Sequence, residues 1–237
     1  MLLLFDIDGT LVLNGSREHR EAIHEAIHEL WGVPDPASVH VDAAGRTDVE
    51  IARRILLLSG VDAKRIDRCL PDFRAAAAAA FARRVPDDLS DHLAPGAHEV
   101  LSALAGREGT ILSLVTGNLE PIARRKLLAA GIGQHFPPGQ GAFGSDSEDR
   151  SELPAIARAR AGRRDGRPWP PRQTVVIGDT PRDIACARAD DARCIAVATG
   201  PYPADQLRGA DAVIGTLREL PDVLARISGR AGARART

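Results

Sequence analysis

Short apolar runs that end abruptly in acidic, glycine or threonine residues restrict the fold of this chain more than any other feature. Residues 2–5 are apolar and are followed directly by DIDGT, while 110–115 and 174–177 are followed by TGN and GD. Runs of this kind are typical of strands buried on both faces of a parallel sheet. The residues at 194–198 and 211–214 are again mostly apolar and predict two more strands.

The segment 16–93 has a different pattern. It shows helical periodicity without a convincing strand, at 18–31, 48–58 and 63–83. Elsewhere the predicted strands alternate with helical patterns, which is typical of an α/β fold with a doubly wound parallel sheet and a Rossmann-like core. We therefore expect such a core with an inserted α-helical cap domain.

The expected domain boundaries follow from these patterns. The α/β catalytic core is predicted to comprise 1–15 and 94–227, and the helical cap 16–93, with Pro95-Gly96 marking the return to the core. Residues 228–237 are rich in Gly, Ala and Arg and are predicted to form a disordered tail.

Composition excludes several classes of partner. The formal net charge of -1 gives no reason to expect nucleic acid or an anionic membrane. No stretch approaches the roughly 18 apolar residues of a membrane span. The three cysteines match no metal or disulfide framework, which favours a reducing compartment. We expect a cytoplasmic protein, and the sequence predicts no particular oligomeric state.

Asp6 and Asp8 are the first candidates for chemistry. They lie two residues apart at the end of a predicted strand, so both carboxylates should emerge on one side of the ligand crevice. Two like charges so close are costly unless a cation lies between them or one carries a proton. One carboxylate can then attack a substrate while the other shuttles a proton. A turn that merely favours Asp and Gly9 is the structural alternative.

Asp179 and Asp183 are the second pair. Asp179 ends another predicted strand, and Asp183 falls in the first turn of the helix that follows. Carboxylates with open positions for water suit Mg²⁺, so Asp6 and Asp179 are expected to bind it directly and Asp183 directly or through water. Alternatively, Asp183 is only a helix-capping carboxylate.

Thr116-Gly117-Asn118 is the third candidate segment. A hydroxyl and exposed backbone N–H groups at a strand-to-helix turn can hold phosphate oxygens. The alternative is an ordinary helix cap in which Asn118 is the capping residue.

These three motifs, each after its own predicted strand and in this order, resemble those of the haloacid dehalogenase-like hydrolase superfamily. The resemblance covers Leu2 to about Leu224. The helical insertion after the first strand is similar to the cap of the phosphoglycolate phosphatase-like subfamily. The sequence Gly45-Arg46-Thr47-Asp48 is similar to the cap loop that faces the substrate in those enzymes.

The resemblance implies a role for each motif. Asp6 would be the nucleophile, and Asp8 would be the general acid and base. Thr116, with the amides of Gly117 and Asn118, would hold the phosphoryl group. The expected phosphate-binding and metal sets include further residues: Gly9, Arg46 and Arg150 for phosphate or substrate, and Asp6, Asp8 (through its backbone carbonyl), Asp179 and Asp183 for Mg²⁺.

One basic residue departs from the family pattern. These enzymes usually have a lysine between the second and last motifs that neutralises the nucleophile and the phosphate. No lysine follows Lys126, which we expect to lie too deep in its helix. Arg150 is the predicted substitute, and its alternative is a solvated charge. Arg46 is expected to bind a substrate carboxylate or second phosphate, or else to be a surface arginine.

The predicted function is Mg²⁺-dependent hydrolysis of a small phosphate ester, such as phosphoglycolate, through an aspartyl-phosphate. A sugar phosphomutase would keep all of the same motifs and stays open as the alternative. Asp8 argues against a haloacid dehalogenase, which needs no second acid. A phosphonate-cleaving enzyme needs a cap lysine, and Lys64 is poorly placed for that role. A non-enzymatic scaffold would be expected to lose one of the aspartates.

Overall fold

The computed structural model describes residues 1–14 and 17–234, with side chains as far as residue 227. Its strands are β1 (Leu2–Phe5), β2 (Ile111–Thr116), β3 (Ala142–Phe143), β4 (Thr174–Gly178), β5 (Arg193–Val197) and β6 (Ala212–Ile214). They form one parallel sheet in the order β3-β2-β1-β4-β5-β6. The predicted α/β fold with a doubly wound parallel sheet is confirmed.

The helices are α1 (Arg17–Trp31), α2 (Asp48–Leu58), α3 (Ala63–Arg84), α4 (Ala97–Ala105), α5 (Glu120–Ala129), α6 (Leu153–Asp165), α7 (Pro181–Ala189) and α8 (Leu220–Arg234). Across the described ranges, none of these helices is both long and apolar enough to cross a membrane.

The position of β1 inside the sheet, between β2 and β4, explains why the sequence of this strand is uniformly apolar. Leu3 and Phe5 pack into a cluster with apolar residues of α4, α5 and α8, on one face of the sheet. Leu2 and Leu4 pack into a second cluster with residues of α6 and α7, on the other face. Since successive side chains of a strand point to opposite faces, a strand covered on both sides must be apolar at every position.

The three helices α1, α2 and α3 form what we call the helical insertion. They bury a hydrophobic cluster of their own, which includes Trp31 and Phe73, with ring centroids 6.0 Å apart. Leu119 and Ile122, at the start of α5, join the same cluster and so attach the insertion to the sheet. The predicted helical stretches agree with these helices to within one residue at each end. The division into separate domains at the boundaries given above stays a prediction.

The strand order places a crevice beside β1. The chain runs from β1 through β2 to β3 on one side, and then crosses to β4 on the other side of β1. Open α/β sheets bind ligands at such a reversal, outside the carboxyl ends of the strands. Asp6 follows β1 and Asp179 follows β4, so these residues flank the reversal.

One strand differs from the sequence prediction. Strand β3 was not predicted, because a two-residue strand is too short to show a pattern. The segment 228–237, which was predicted to be a disordered tail, overlaps the end of α8, since this helix continues to Arg234 and is anchored by apolar residues such as Leu220 and Leu224. Residues 235–237 lie outside the described residues, and the disorder of the tail stays a prediction.

We predict that the core of the helical insertion depends on Phe73. Replacing this fully buried ring with alanine should lower the free energy of unfolding by about 3 to 5 kcal/mol. The control is Leu58→Ala, since Leu58 is 69% exposed, and its effect should stay within about 0.5 kcal/mol. Denaturant titration followed by tryptophan fluorescence measures both. Equal stability of the two variants would contradict the packing described.

Candidate active site

Three carboxylates meet at the carboxyl edge of the sheet, and we call them the acidic cluster. One carboxylate oxygen from each of Asp6, Asp179 and Asp183 lies within 4.8 Å of the other two, and all three residues are buried. Asp6 and Asp179 directly follow two paired strands, β1 and β4, whereas Asp183 lies in the first turn of α7. The structure thus brings together three of the four aspartates that were predicted to bind metal.

The local sequence fixes the position of Asp183. Thr180 is the N-cap of α7, and its backbone N–H and its hydroxyl donate to Asp183 Oδ2, at 3.0 and 2.7 Å. Asp183 Oδ1 accepts a hydrogen bond from Arg150, whose Nη2 also contacts Asp6. Asp183 therefore caps the helix with one oxygen and shares Arg150 with Asp6 through the other, so a capping role and a metal-binding role are compatible.

Burial and mutual repulsion change the protonation of the acidic cluster. Burial, with the neighbouring charges of Asp183 and Asp6, raises the pKa of Asp179 to about 8, although Thr10 donates a hydrogen bond to it. Burial also raises the pKa of Asp6 to about 6, and the nearby Arg150 only partly opposes this. The single guanidinium of Arg150 cannot neutralise three ionised carboxylates, so the ionised cluster would carry excess negative charge. An all-oxygen, anionic donor set of this kind fits a hard divalent cation.

Glycines let the backbone approach Asp179 closely. A Cβ atom built on Gly200 would lie 1.7 Å from Asp179 Oδ2, and one on Gly9 would lie 2.3 Å from the same atom. Gly9 also has a φ of +82°, a conformation that side chains disfavour. Gly9 therefore contributes a turn and a close contact with the acidic cluster.

Arg150 lies against the predicted nucleophile. Its Nη2 is 3.2 Å from Asp6 Oδ1 and also contacts Asp183, and the side chain is only 7% exposed, so it is not a solvated surface charge. Its Nε has no hydrogen-bond partner among the described residues. A buried guanidinium that lines the cavity beside a carboxylate is well placed to bind an anionic group.

Asp8 faces a different set of partners. Lys126 donates to both of its carboxylate oxygens at 2.7 Å, and Asn118 Nδ2 donates to Oδ2 at 2.8 Å. Burial alone would raise the pKa of Asp8, but the Lys126 ammonium and the other hydrogen bonds hold that pKa below its usual value. The Asp8 side chain is therefore not part of the acidic cluster, and only its backbone carbonyl remains for the metal role implied by the resemblance.

Lys126 corrects the sequence analysis, which placed it too deep in its helix to reach the site. Helical side chains point back toward the N-terminus, so the long Lys126 side chain returns along α5 to Asp8. It contacts Asp8 rather than the nucleophile Asp6. A signal was present in the sequence, since Lys126 interrupts the apolar stripe formed by Ile122, Ala123 and Leu127.

The predicted phosphate-binding turn lies beside these carboxylates. Thr116 is fully buried at the end of β2, and Gly117 packs against the helical insertion so tightly that a Cβ would lie 2.0 Å from the Arg46 carbonyl oxygen. The N-cap of α5 is Leu119, so Asn118 is not the capping residue. Asn118 Oδ1 is buried without a partner among the described residues.

A cavity of about 610 Å³ connects these groups with the helical insertion. Asp6, Asp8 and Arg150 line it, and so does Arg46, which precedes α2. The Arg46 guanidinium has two partners, because Nε donates to the Asp42 carbonyl at 2.7 Å and Nη1 forms an ion pair with Glu50. The contact of Arg46 with a substrate carboxylate or second phosphate stays a prediction.

Comparison with known proteins identifies the family. Residues 3–188 match the model of the haloacid dehalogenase-like hydrolase family, so the chain belongs to this family, as predicted. It is 26% identical over 222 residues to the probable phosphatase IndB of Dickeya dadantii (strain 3937), covering 92% of this chain and 91% of that protein.

Two solved structures share the fold over nearly their whole length. A predicted phosphoglycolate phosphatase from Haemophilus somnus 129PT superimposes with a TM-score of 0.64 and 19% identity, covering 94% of this chain and 97% of that one. A β-phosphoglucomutase from Clostridium difficile superimposes with a TM-score of 0.69 and 15% identity, covering 97% and 98%.

We predict that Gly200→Ala displaces the Asp179 carboxylate, because the new methyl group would overlap Asp179 Oδ2. A displacement near 1 Å should lower the rate of 4-nitrophenyl phosphate hydrolysis by about 100-fold. Gly106→Ala is the matched control, since its nearest neighbours lie 3.9 Å away and its φ is −79°. Equal activity of the two folded variants would contradict the close approach at Asp179.

Proposed function

We propose that the chain is a Mg²⁺-dependent phosphatase that hydrolyses a small phosphorylated metabolite through an aspartyl-phosphate on Asp6. The observation that carries this proposal is the position of Asp6, which belongs to the acidic cluster and also contacts Arg150. A nucleophile for phosphoryl transfer needs this combination, since the anionic phosphate must be drawn toward an anionic carboxylate. The probable phosphatase among the relatives supports the proposal.

In the first step Asp6 attacks phosphorus. A carboxylate oxygen of Asp6 forms a bond to phosphorus as the bond to the leaving oxygen breaks. Asp8, which takes up a proton beside the anionic ester, donates that proton to the leaving oxygen. Arg150, which lines the cavity, binds the phosphoryl oxygens through its guanidinium. Thr116 and the backbone N–H groups of the turn after β2 bind them on the opposite side.

In the second step a water molecule replaces Asp6. Asp8 accepts a proton from the water, the water oxygen bonds to phosphorus, and the bond between Asp6 and phosphorus breaks. Inorganic phosphate leaves, and both aspartates return to their starting states. Asp8 is the carboxylate left by the first step, and the hydrogen bonds from Lys126 and Asn118 hold it in place to accept this proton.

The metal-binding residues would be the acidic cluster and the backbone carbonyl of Asp8. Their donors are all oxygens, which suits Mg²⁺. When bound, Mg²⁺ supplies positive charge that offsets the repulsion between the phosphate and the carboxylates.

The substrate we propose is a small phosphate ester of the phosphoglycolate type, held between the sheet and a capping helical insertion. The cavity of about 610 Å³ is large enough for a small metabolite and is closed on one side by that insertion. The likeness to a predicted phosphoglycolate phosphatase agrees with this substrate class. We place the enzyme in the cytoplasm, as expected from its composition.

A sugar phosphomutase is the second candidate, and the likeness to a β-phosphoglucomutase favours keeping it. Both reactions use the same groups up to the aspartyl-phosphate, and they differ in whether water or a sugar hydroxyl receives the phosphoryl group. Measuring free phosphate across a panel of phosphorylated metabolites, with and without Mg²⁺, separates them. A phosphatase releases one phosphate for each ester consumed, whereas a mutase releases almost none.

We predict that Asp6→Asn abolishes turnover, because an amide does not provide the anionic nucleophile. The rate of phosphate release should fall by at least about 1,000-fold, measured with 4-nitrophenyl phosphate. The matched control is Asp87→Asn at an exposed position, which should retain full activity.

The nucleophile assignment is wrong if the Asp6→Asn protein hydrolyses the ester at a substantial fraction of the wild-type rate. Circular dichroism of both variants establishes that they are folded before their rates are compared.

We predict that the affinity for Mg²⁺ increases with pH. The pKa values of Asp6 and Asp179, about 6 and about 8, mean that the free site carries protons at low pH. A cation must displace these protons, so binding should weaken as the pH falls through about 8 and then through about 6. Isothermal titration calorimetry across this range tests it, and an affinity independent of pH would contradict the electrostatics of the acidic cluster.

A further inference from the structure

A fully buried lysine connects the predicted acid–base residue to the helical insertion. Lys126 has no exposed surface, and its ammonium group has three hydrogens to donate. Three acceptors surround it, the two oxygens of Asp8 at 2.7 Å and His19 Nδ1 at 3.0 Å. Asp8 and Lys126 belong to the sheet side of the cavity, whereas His19 lies on α1 of the insertion.

The contacts continue from His19 to Asp48. Because the ammonium of Lys126 has no lone pair, His19 Nδ1 is the acceptor in that contact, and the hydrogen of the neutral ring lies on Nε2. His19 Nε2 accordingly donates to Asp48 Oδ2 at 2.9 Å. Asp48, the first residue of α2, also accepts a hydrogen bond from the backbone N–H of Leu119 at 2.7 Å.

The contacts form a closed ring around Asp8. Leu119 directly follows Asn118, whose side chain donates to Asp8 Oδ2 at 2.8 Å. Lys126 and Asn118, the two side chains that hold the Asp8 carboxylate, are therefore both connected to the insertion, one through His19 and the other through Asp48.

The part of this ring of contacts formed by Lys126, His19 and Asp48 is buried. The side chain of Phe81, on α3, lies with its centroid 5.8 Å from that of the His19 imidazole and 6.0 Å from Lys126 Nζ. His19 and Asp48 are 7% and 2% exposed. If one of these three buried groups lost its partner, little water could replace that partner, so we expect the three groups to keep their contacts together.

We propose that Lys126 and His19 are positioning residues for Asp8, so that the general acid is aimed at the leaving oxygen only while the helical insertion is docked. The inference rests on the proposed role of Asp8 in phosphoryl transfer. It adds that two side chains of the insertion, His19 and Asp48, control the position of the Asp8 carboxylate at the edge of the sheet.

The test compares two substrates that differ in how strongly their cleavage depends on a general acid that protonates the leaving oxygen. Phenol is a poorer leaving group than 4-nitrophenol, so phenyl phosphate depends more strongly on protonation of the leaving oxygen. The constant kcat/KM reports the steps up to departure of the leaving group. Lys126→Met should therefore lower kcat/KM for phenyl phosphate about ten-fold or more beyond its effect on 4-nitrophenyl phosphate, because Asp8 is no longer held toward the leaving oxygen. A gain on phenyl phosphate would show that the ammonium acts only on the charge of Asp8, and it would refute the positioning role.

A second set of variants keeps the proposal testable if Lys126→Met does not fold. His19→Leu leaves the ion pair between Lys126 and Asp8 but removes its link to the insertion. It should show the same preference for 4-nitrophenyl phosphate, to a smaller extent. His19→Gln should restore most of the lost rate on phenyl phosphate, since an amide can accept from Lys126 and donate to Asp48. Arg125→Met, at an exposed position on the same helix, is the matched control and should behave as wild type.

The outcomes separate this inference from the proposed function. Asp8→Asn must itself show the leaving-group dependence, and if it does not, the acid role in the proposed function fails. If Asp8→Asn shows it while Lys126→Met and His19→Leu lower both substrates equally, these residues only stabilise the fold and the positioning role is refuted. If His19→Gln fails to restore the rate while remaining folded, the hydrogen-bonded link through residue 19 is refuted.

Discussion

The burial of three carboxylates within 4.8 Å of one another is the constraint on which the rest of this structure depends. Burying an ionised group costs several kcal/mol unless partners compensate it. The protein supplies part of the compensation through Arg150 and through hydrogen bonds from Thr10 and Thr180. It does not supply all of it, as the raised pKa values of Asp6 and Asp179 indicate. A divalent cation shared by the acidic cluster would supply the rest, and the close packing of glycines around the cluster keeps its carboxylates in place.

Asp6 and Asp8 are two residues apart but have opposite electrostatic surroundings. Burial raises the pKa of Asp6 to about 6, whereas Lys126 and Asn118 hold that of Asp8 below its usual value despite burial. Pairs of titratable groups whose pKa values are pushed apart are typical of sites where each group has its own task. The contrast arises from topology. The crossover to β4 brings the acidic cluster to one side of the DIDGT turn, and α5 brings a lysine to the other.

Sequence patterns predicted the strands, and the acidic residues after them, because both depend on short stretches of neighbouring residues. The apolar runs indicated five of the six strands, and the acidic residues that follow them are the ones that meet at the sheet edge. The partners of Asp8 were missed because they depend on how helices pack. Lys126 lies 118 residues from Asp8 along the chain. His19, in turn, contacts Lys126 only when the helices have packed together. The ion pair between Arg46 and Glu50 was missed for the same reason, since it forms once α2 has formed.

The most direct test of the central claim is a crystal structure of the enzyme with Mg²⁺ and beryllium trifluoride, a mimic of the phosphoryl group. We expect the trifluoride on a carboxylate oxygen of Asp6, in contact with Arg150, and one Mg²⁺ ion bound by Asp6 and Asp179, with Asp183 as a direct or water-mediated ligand. Asp8 should face the position of the leaving oxygen. An adduct on any other residue, or a metal ion that binds away from the acidic cluster, would contradict the assignment of this site.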